Sequence, residues 1–594
     1  MRFLFALMLL LGSSLSASGA PLANQLKDNP SPYLALHGND PTAWQEWNAE
    51  TVARAKREGK LLLLSIGYFS CHWYHVMQRE SFSNPQIAAE LNRHFIPVKV
   101  DREIHGALDV EMQDFASTTI GHSGWPLNVF VTPEGYPLVA MLYAPPKGFR
   151  RALERLADRW QKQGPELAEA ARGVAAQQPE PAAVEAKFAP KIAELFRQRL
   201  VQEALAKADL LRGGFGTAFK FPSAPQLAAL LEAQRVAPDP KLADFLRLTL
   251  DEMARLGLRD HIGGGFFRYT VDPDWHVPHF EKMLYDNAQL ALLYLDAAKI
   301  LDRPAYRDIA FETLDFMIRS MHDNATGAFL TSTSAVDDKG REGGFYLWRK
   351  DALRRLLGRD DFALLRRIWN LDAPPAVDGG YLAMNRVPPS VAEVDQLKTI
   401  YTRLAQARSG RTLPRDGKLL AGLNGLALHA LSRAAVDAPR FRPAAQALRD
   451  FVAATLIASG ELRKGVAAGK LLGTADADDY AYVSQGLLSY ADMAGSAPDR
   501  DLARTLAEQA WQKFHTARGW TLDQQSLLAR PYYQTVVPDG PSPAPSAVLI
   551  RTSWALGGST LRTQALKGLN TGYQLLDQAA FWYATQISAM GAIN

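Results

Sequence analysis

Residues 61–77 read LLLLSIGYFSCHWYHVM, and this stretch decides the fold of the first part of the chain. The apolar run from Leu61 to Ile66 has the length of a strand and the pattern typical of one buried on both faces. Cys71 follows where a helix is predicted to open, with helical residues from Tyr74 to Glu80. The macrodipole and free N–H groups of a helix N-terminus favour the thiolate of a cysteine placed there.

Further strands are predicted around this one, so the segment forms a small α/β domain. Phe95 to Val100 is one strand, and residues 127–131 and 137–141 flank a turn signal that indicates a hairpin. Trp125-Pro126, just before the hairpin, is a candidate cis peptide. The helices predicted to pack on the sheet are 49–58, 84–93 and 150–175.

Beyond a polar, Pro-rich break at 177–181 the strand signals fade and helical periodicity dominates. The predicted helices are 226–235, 242–256, 281–301, 306–321, 423–435, 444–456, 480–493 and 501–515. We therefore divide the chain into a signal peptide at 1–20, an α/β domain at 21–176, a linker at 177–190 and a helical domain at 191–594.

A Gly–aromatic turn recurs between the helices and indicates the architecture of the helical domain. Its members are Gly213-Gly214-Phe215, Gly264-Gly265-Phe266, Gly327-Ala328-Phe329, Gly379-Gly380-Tyr381 and Gly519-Trp520, with Gly460-Glu461-Leu462 as a sixth, leucine-containing member. Regular punctuation of this kind predicts repeated helix pairs. Six such pairs would close an (α/α)6 toroid around a central pocket; the alternative is an irregular all-helical domain.

The composition excludes several classes of protein. Apolar residues make up 47% of the 594-residue chain and charged residues 22%, so the chain is neither disordered nor fibrous. A formal net charge of +4 is too even to indicate nucleic acid as a partner. The single cysteine excludes an internal disulfide and any metal site built from several cysteines.

The first twenty residues indicate export. Arg2 gives a positive start, Phe3 to Leu11 a short apolar run and Ser16 to Ala20 small residues for cleavage, the pattern of a secretory signal. A buried N-terminal helix is the alternative. No later segment reaches the roughly 18 apolar residues that a transmembrane helix needs, so none is expected after signal removal. We expect an exported protein, periplasmic in a Gram-negative cell.

Three interpretations of Cys71 are open: thiol chemistry, metal binding and simple packing. Protonated imidazoles beside the thiol would further favour a thiolate. Cys71, His72 and His75, with His122 near them, could instead form an open zinc or copper site. A lone cysteine is also commonly a small buried hydrophobe. We assign no metal and no cofactor, and the candidate site of this domain is Cys71, His72, Tyr74, His75 and Pro126.

In the helical half, residues 275–286 read WHVPHFEKMLYD. Pro278 suits the first turn of a helix, which would place His279 and Asp286 on one helix face. A histidine in that position can act as an acid or base toward a ligand. The alternative is a capping and packing cluster.

Carboxylates and aromatic side chains in this half suit a sugar ligand. Glycoside hydrolysis needs paired carboxylates, and the candidates are Glu281, Asp286, Asp478 and Asp479. The last two also suit a helix cap. The aromatic residues that could ring a sugar, or belong to the core, are Trp275, Tyr285, Trp348 and Tyr480.

Several motifs resemble a known family, the thioredoxin-like spermatogenesis-associated proteins and their bacterial homologues. The matching stretches include Asn29 to Leu34, Cys71 to Met77, Val98 to Glu103, Gly124 to Phe130, Gly263 to Phe266, Val277 to Asp286 and Asp478 to Ala481. The resemblance implies a thioredoxin-fold domain followed by a six-hairpin toroid similar to those of sugar epimerases and glycosidases. The activity of the family is itself poorly defined.

The chain departs from the family pattern at positions that matter for chemistry. Relatives show Cys-His-Trp-Cys-His where this chain has Tyr74 in place of the second cysteine. A mixed disulfide needs a second thiol to resolve it, so dithiol oxidoreductase chemistry is excluded unless a partner supplies that thiol. An acidic stretch of the family is Ser332 to Val336 here, and a tryptophan before Asn424 is Leu423. These losses favour binding over hydrolysis.

Three hypotheses follow. In the first, the toroid binds a saccharide and His279, with Asp286 or Glu281, transfers protons as in an epimerase or hydrolase. In the second, the protein is a non-catalytic scaffold that holds a glycan or a protein. In the third, Cys71 acts as a monothiol on a protein client or a peroxide, which requires a thiol pKa well below about 8.5. Carbohydrate is the ligand we expect.

Overall fold

The structure is a computed structural model that describes residues 21–177, 189–457 and 460–593. The predicted signal peptide and most of the predicted linker lie outside the described residues. Helix α6 ends at Gln177 and α7 begins at Pro190, and the domain limits stay a prediction. In the described part of the chain, every helix is too short or too polar to cross a membrane.

The apolar strand predicted at 61–66 lies in the middle of a sheet and is buried along its whole length. Among the described residues this sheet has the order β1-β3-β2-β4-β5. Strands β1, β3 and β2 run parallel to one another, β4 runs antiparallel to β2, and β5 runs antiparallel to β4. The strands are β1 Gln45–Glu46, β2 Leu61–Gly67, β3 Phe95–Asp101, β4 Leu127–Val131 and β5 Pro137–Met141. The predicted strands and hairpin are confirmed.

Helices cover this sheet. They are α1 Pro32–Ala35, α2 Ala49–Glu58, α3 His72–Met77, α4 Pro85–His94, α5 Gly106–Ile120 and α6 Pro146–Gln177. Cys71 is the N-cap residue of α3, as predicted, but α3 begins earlier than expected and passes into a π-helical turn at Gln78–Phe82. The Trp125-Pro126 peptide is cis, in agreement with the sequence.

The second domain is a closed ring of helix pairs, which confirms the predicted (α/α)6 toroid. In the described chain the inner helices contact one another in the order α8, α10, α15, α17, α19, α21 and back to α8. They are α8 Ala224–Val236, α10 Leu284–Ile300, α15 Ala421–Asp437, α17 Ala477–Ala494, α19 Pro545–Leu556 and α21 Ala584–Ala592. The outer helices are α7 Pro190–Lys207, α9 Pro240–Arg255, α11 Ala305–Ser320, α16 Arg442–Phe451, α18 Ala497–Phe514 and α20 Ser559–Asn570.

The Gly–aromatic turns follow the outer helices. Asp209, Asp260 and Asp323 each accept a hydrogen bond on the backbone carbonyl from the glycine four residues later, at 2.8 Å. These glycines have φ between 71° and 82°, which other residues seldom adopt. The same backbone geometry therefore turns the chain from an outer helix back towards the ring.

The prediction that Gly379-Gly380-Tyr381 is one of these turns is wrong. Gly379-Gly380-Tyr381 lies in an insertion between α11 and α15, which has its own core around Trp369 and Leu397. The insertion contains α12 Lys350–Leu356, α13 Arg359–Ile368 and α14 Val394–Arg408. After the last outer helix stands Gly572, with φ of 70°, followed by Tyr573.

The predicted helix start at Pro278 is also wrong. Pro278–His279 is a short strand that pairs with Tyr269–Thr270, and Lys282–Met283 pairs with Ser332–Thr333. The N–H of Leu284 then donates to the carbonyl of Thr331, so α10 begins only at Leu284. Pairing with distant segments overrides the local preference for a helix at this point.

Short strands of this kind connect the helices of the second domain. They are β6 Tyr269–Thr270, β7 Pro278–His279, β8 Lys282–Met283, β9 Ser332–Thr333, β10 Arg415–Asp416, β11 Leu419–Leu420, β12 Gly465–Ala467, β13 Lys470–Leu471, β14 His515–Thr516 and β15 Gly519–Trp520.

Candidate active site between the two domains

A cavity of about 1290 Å3 lies where the end of β2 and the start of α3 face the loops before α10. Both domains contribute to its wall: Tyr68, Cys71 and His72 from the α/β domain, and His279 and Glu281 from the toroid. Predicted site residues more than 200 positions apart in the chain are therefore brought together.

A buried polar network joins the domains at this cavity. The Tyr68 hydroxyl donates to Glu281 Oε2 at 3.0 Å, and Arg268 Nη1 lies 3.2 Å from the same oxygen and also contacts the Tyr68 hydroxyl. Burial raises the pKa of the Glu281 carboxyl, although the positive charge of Arg268 opposes this. Glu281 is thus held by two partners, one from each domain.

His279 and His72 share one carboxylate. His279 Nδ1 lies 2.7 Å from Glu342 Oε1, and His72 Nδ1 lies 3.5 Å from Glu342 Oε2. Burial by itself would raise the pKa of Glu342, but the two histidines lower it below its ordinary value. A carboxylate that stays ionised this close to an imidazole helps to orient the ring.

Cys71 is buried in this wall. Burial, reinforced by the negative charge of Glu281, raises the pKa of its thiol well above the ordinary value. Hydrogen bonds from the backbone at the start of α3 act in the opposite direction but are weaker. The thiol form is therefore favoured, which is opposite to what the monothiol hypothesis requires.

The other residues of the CHxxH segment have structural partners. The Tyr74 hydroxyl lies 2.7 Å from His37 Nε2, and His37 Nδ1 lies 2.6 Å from Asp40 Oδ2. Burial lowers the pKa of His37 to about 3, so its neutral ring accepts from Tyr74 and donates to Asp40. Tyr74 is thus anchored by a buried histidine.

The metal interpretation of this segment is not supported. His75 Nε2 donates to the carbonyl of Phe69 at 2.9 Å, whereas His72 turns to Glu342. Within the described ranges, the carboxylate, histidine and cysteine groups close enough to share an ion are Asp272, Asp274 and His276, and Asp476, Asp478 and Asp479. Cys71, His72, His75 and His122 do not form such a group.

Aromatic side chains cover the opening of the cavity. Phe221 stacks on Tyr269 with ring centroids 4.6 Å apart, Tyr269 contacts His279 at 4.7 Å, and the His279 ring lies 5.9 Å from that of His72. All exposed phenylalanines and tryptophans of the described chain line this cavity; they are Trp73 at 44% exposure, Phe219 at 58%, Phe221 at 47% and Trp582 at 52%. Clustered exposed aromatics mark a binding surface.

Three of the four aromatic side chains that were predicted to surround a sugar lie in the core instead. Trp275 is fully buried and its Nε1 donates to the carbonyl of Arg212, Trp348 belongs to the core of the insertion, and Tyr480 packs on Phe514. A sequence pattern alone does not distinguish a core aromatic from one in a pocket. Tyr285 is the exception, since it lines a smaller cavity between the toroid and the start of α5.

The predicted acidic residues have separate roles. Asp479 and Asp476 form a capping box at the start of α17, and Lys464 Nζ lies 2.8 Å from Asp479 Oδ2 and 3.6 Å from Asp478 Oδ1. Of the two predicted residues, Asp479 is therefore part of a helix cap, the alternative considered from the sequence, whereas Asp478 is not a member of the capping box. Asp286 is buried in the first turn of α10, and burial raises the pKa of its carboxyl to about 8.

Sequence reasoning missed Tyr68, Arg268 and Glu342. Tyr68 stands three residues before Cys71, and Arg268 stands two residues after a Gly–aromatic turn. Their closeness to these motifs was a weak sign that they belong to the site. Glu342 lies in a Gly-rich loop with no periodic pattern, and only the tertiary structure brings it to His279.

Comparison with known proteins agrees with the fold. The sequence profile of a family described as "Protein of unknown function, DUF255" (Thioredox_DsbH) matches residues 23–178. The chain is 31% identical over 567 residues to the uncharacterized protein B0495.5 of Caenorhabditis elegans, covering 85% of this chain and 76% of that protein. It is 31% identical over 560 residues to human spermatogenesis-associated protein 20, covering 84% of this chain and 70% of the human protein.

Among solved structures, cellobiose 2-epimerase from Spirochaeta thermophila DSM 6192 is similar in part. It has 13% sequence identity and a TM-score of 0.45, and the match covers 68% of this chain and 97% of the epimerase. With a TM-score below 0.5, this similarity supports no conclusion about the chain. The two relatives are similar along most of their own length, and the chain therefore belongs to the family of spermatogenesis-associated protein 20.

Proposed function

We propose that the cavity between the domains binds a saccharide and that the His279–Glu342 pair transfers a proton to or from it. The observation that carries the proposal is the wall itself, where exposed aromatic faces lie beside His279 and its ionised carboxylate partner. Aromatic rings offer flat apolar faces and the charged groups offer hydrogen bonds, a combination that suits a hydroxylated ring.

The proposed chemistry is general acid–base catalysis. His279 would accept a proton from the bound sugar and return it, while Glu342 stabilises the imidazolium that forms in between. Tyr68 and Arg268 hold Glu281 in the same wall, where its carboxyl group would accept hydrogen bonds from the ligand. Glu342 replaces Asp286 as the partner of His279, because Asp286 lies outside the lining of this cavity.

A thermal-shift screen of the protein against mono- and oligosaccharides tests binding. A ligand at about 100 times its dissociation constant adds roughly 2.7 kcal/mol to the stability of the folded protein. We expect an increase of several degrees in the unfolding temperature with one class of sugar. The absence of a shift with any sugar would overturn the saccharide proposal.

Turnover is tested separately with the sugar that binds. NMR in heavy water detects deuterium entering the sugar, the sign of proton removal from carbon, and release of reducing ends detects hydrolysis. We expect His279→Gln to lower turnover by about 10² to 10⁴-fold while the thermal shift remains. His94→Gln, on α4 outside the cavity, is the matched control. A thermal shift without turnover in the wild-type protein would indicate a binding protein and reject the acid–base role of His279.

A further inference from the structure

A second cavity of about 280 Å3, here called the axial cavity, lies between the N-terminal ends of the inner helices of the toroid and the start of α5 in the α/β domain. Tyr285 from α10, Leu423 from α15 and Asp478 from α17 line it. The segment from Pro538 to Pro545 covers it on one side. Its volume is close to the lower end of the roughly 300–1,000 Å3 typical of small-molecule sites, so it has room for one small ring.

A buried hydroxyl in the wall of the axial cavity has no hydrogen-bond partner among the described residues. Tyr285 is 5% exposed and its OH is unpaired, and so is Oδ2 of the neighbouring Asp286. A buried polar group without a partner costs about 1–3 kcal/mol, so this hydroxyl is costly unless something binds it. By contrast Tyr294, the other tyrosine on the same helix, is also buried but donates its hydroxyl to the carbonyl of Leu250 at 2.8 Å.

The covering segment is held in place. The Tyr482 hydroxyl donates to the carbonyl of Pro543 at 2.5 Å, and Gln289 Nε2 donates to that of Pro541 at 3.0 Å. Asp539 accepts from the N–H groups of Ala544 and Thr585. The axial cavity is therefore a formed space with an anchored wall.

The axial cavity and the interdomain cavity share part of their walls. Arg102 and Asp109, paired at 2.9 Å, and Pro538 to Pro541 line both. The two cavities are therefore neighbours on either side of these residues.

We propose that the axial cavity is a second subsite, which holds the next ring of an oligosaccharide whose first ring lies in the interdomain cavity. The inference rests on the saccharide function proposed above and defines its substrate class as oligosaccharides. In this subsite the Tyr285 hydroxyl donates to the ligand, and Asp478, whose side chain is 41% exposed, accepts from a ligand hydroxyl.

The test measures the affinity of the protein for three series of sugars, each with one, two and three rings. The series are glucose with the maltose series, glucose with the cellobiose series, and N-acetylglucosamine with the chitobiose series; below, monomer and dimer mean the sugars with one and two rings. For the series that binds, we expect the dimer to bind at least tenfold more tightly than the monomer. Tyr285→Phe should reduce that gain about fivefold, the effect of one hydrogen bond. Leu423→Trp, which fills the axial cavity, should abolish the gain.

Two controls separate binding from folding. Tyr285→Phe removes an unpaired hydroxyl, so its unfolding temperature should equal or exceed that of the wild type, whereas Tyr294→Phe breaks a hydrogen bond and should lower it without changing the gain from monomer to dimer. Dimers that bind no better than monomers would overturn the subsite and leave the saccharide function intact. Failure of all three series to bind would overturn both.

Discussion

At Cys71 two opposing effects act on one thiol. A helix N-terminus stabilises a negative charge by about 0.3–1 kcal/mol, and up to about 2 kcal/mol in favourable geometry. Burial of a charge costs more, because each unit of pKa shift corresponds to about 1.4 kcal/mol and full burial moves a pKa by several units. Burial therefore prevails at Cys71, and the segment serves the cavity through Tyr68 and His72 rather than through a thiolate.

Asp286 makes the stability of the protein depend on pH. Burial raises the pKa of its carboxyl to about 8, so it keeps its proton in the folded state up to that pH, whereas in the unfolded chain it ionises near 4. Unfolding then releases a proton, and stability falls as the pH rises from about 4 to 8, by at most about 1.4 kcal/mol per unit. We expect Asp286→Asn to flatten this fall, so that the variant gains stability over the wild type towards pH 8.

Denaturant unfolding at several pH values measures this dependence. The matched control is Asp501→Asn, since Asp501 is exposed on α18 and should leave the slope unchanged. Parallel curves for the wild type and Asp286→Asn would show that Asp286 is ionised in the folded protein.

Among the elements, two inner helices fasten the Gly–aromatic turns with an asparagine. Asn424, in the first turn of α15, accepts from the N–H of Phe329 at 2.8 Å and donates to the carbonyls of Phe329 and Leu420. Asn287 in α10 does the same for Phe266 and Met283. Asn424 thus clamps an outer turn to an inner helix.

We expect Asn424→Ala to destabilise the toroid by about 3 kcal/mol, because it leaves buried backbone groups of Phe329 and Leu420 without a partner. The measurement is the shift of the thermal unfolding midpoint. Asn324→Ala, at an exposed position of the turn before Phe329, serves as the control and should change stability by no more than about 0.5 kcal/mol. Equal effects of the two variants would disprove the clamp.

At the scale of the whole molecule, Lys418 of the toroid joins the two domains. Its Nζ is fully buried and lies 2.7 Å from Asp101 Oδ2 and 3.0 Å from Glu103 Oε2 of the α/β domain, and 2.7 Å from Asp416 Oδ2 of the toroid. Removal of one member of a buried ion pair costs about 3–5 kcal/mol, because it leaves the other charge unpaired. This contact therefore holds the two domains together.

We expect Lys418→Met to loosen the domain contact, with faster amide hydrogen exchange around residues 95–105 and a weaker thermal shift by any ligand of the cavity. Lys282→Met is the matched control, because Lys282 is equally buried but pairs with Asp260 inside the toroid. It should cost similar stability and leave exchange at 95–105 unchanged. The same exchange pattern in both variants would contradict a specific role of Lys418 between the domains.

The sequence was sufficient for the strands β2 to β5 and for the helices α8 to α11 and α15 to α18, but it did not predict α5, α7, the helices of the insertion or α19 to α21. The apolar run 61–66, the helix opening at Cys71 and the Gly–aromatic turns depend on local preferences of the backbone and on burial of one face, which appear as periodicity within a few residues. The toroid could be predicted for the same reason, since a repeated turn implies a repeated helix pair.

Only the tertiary structure decided which side chains meet. Tyr68 and Glu281 are 213 residues apart, and Glu342 reaches His279 from a loop without a pattern of its own. Lys282–Met283 became a strand because the distant segment Ser332–Thr333 supplied its partner. Local periodicity reports which face of an element is buried but not what buries it, so the composition of the cavity depends on contacts that form only when both domains are folded together.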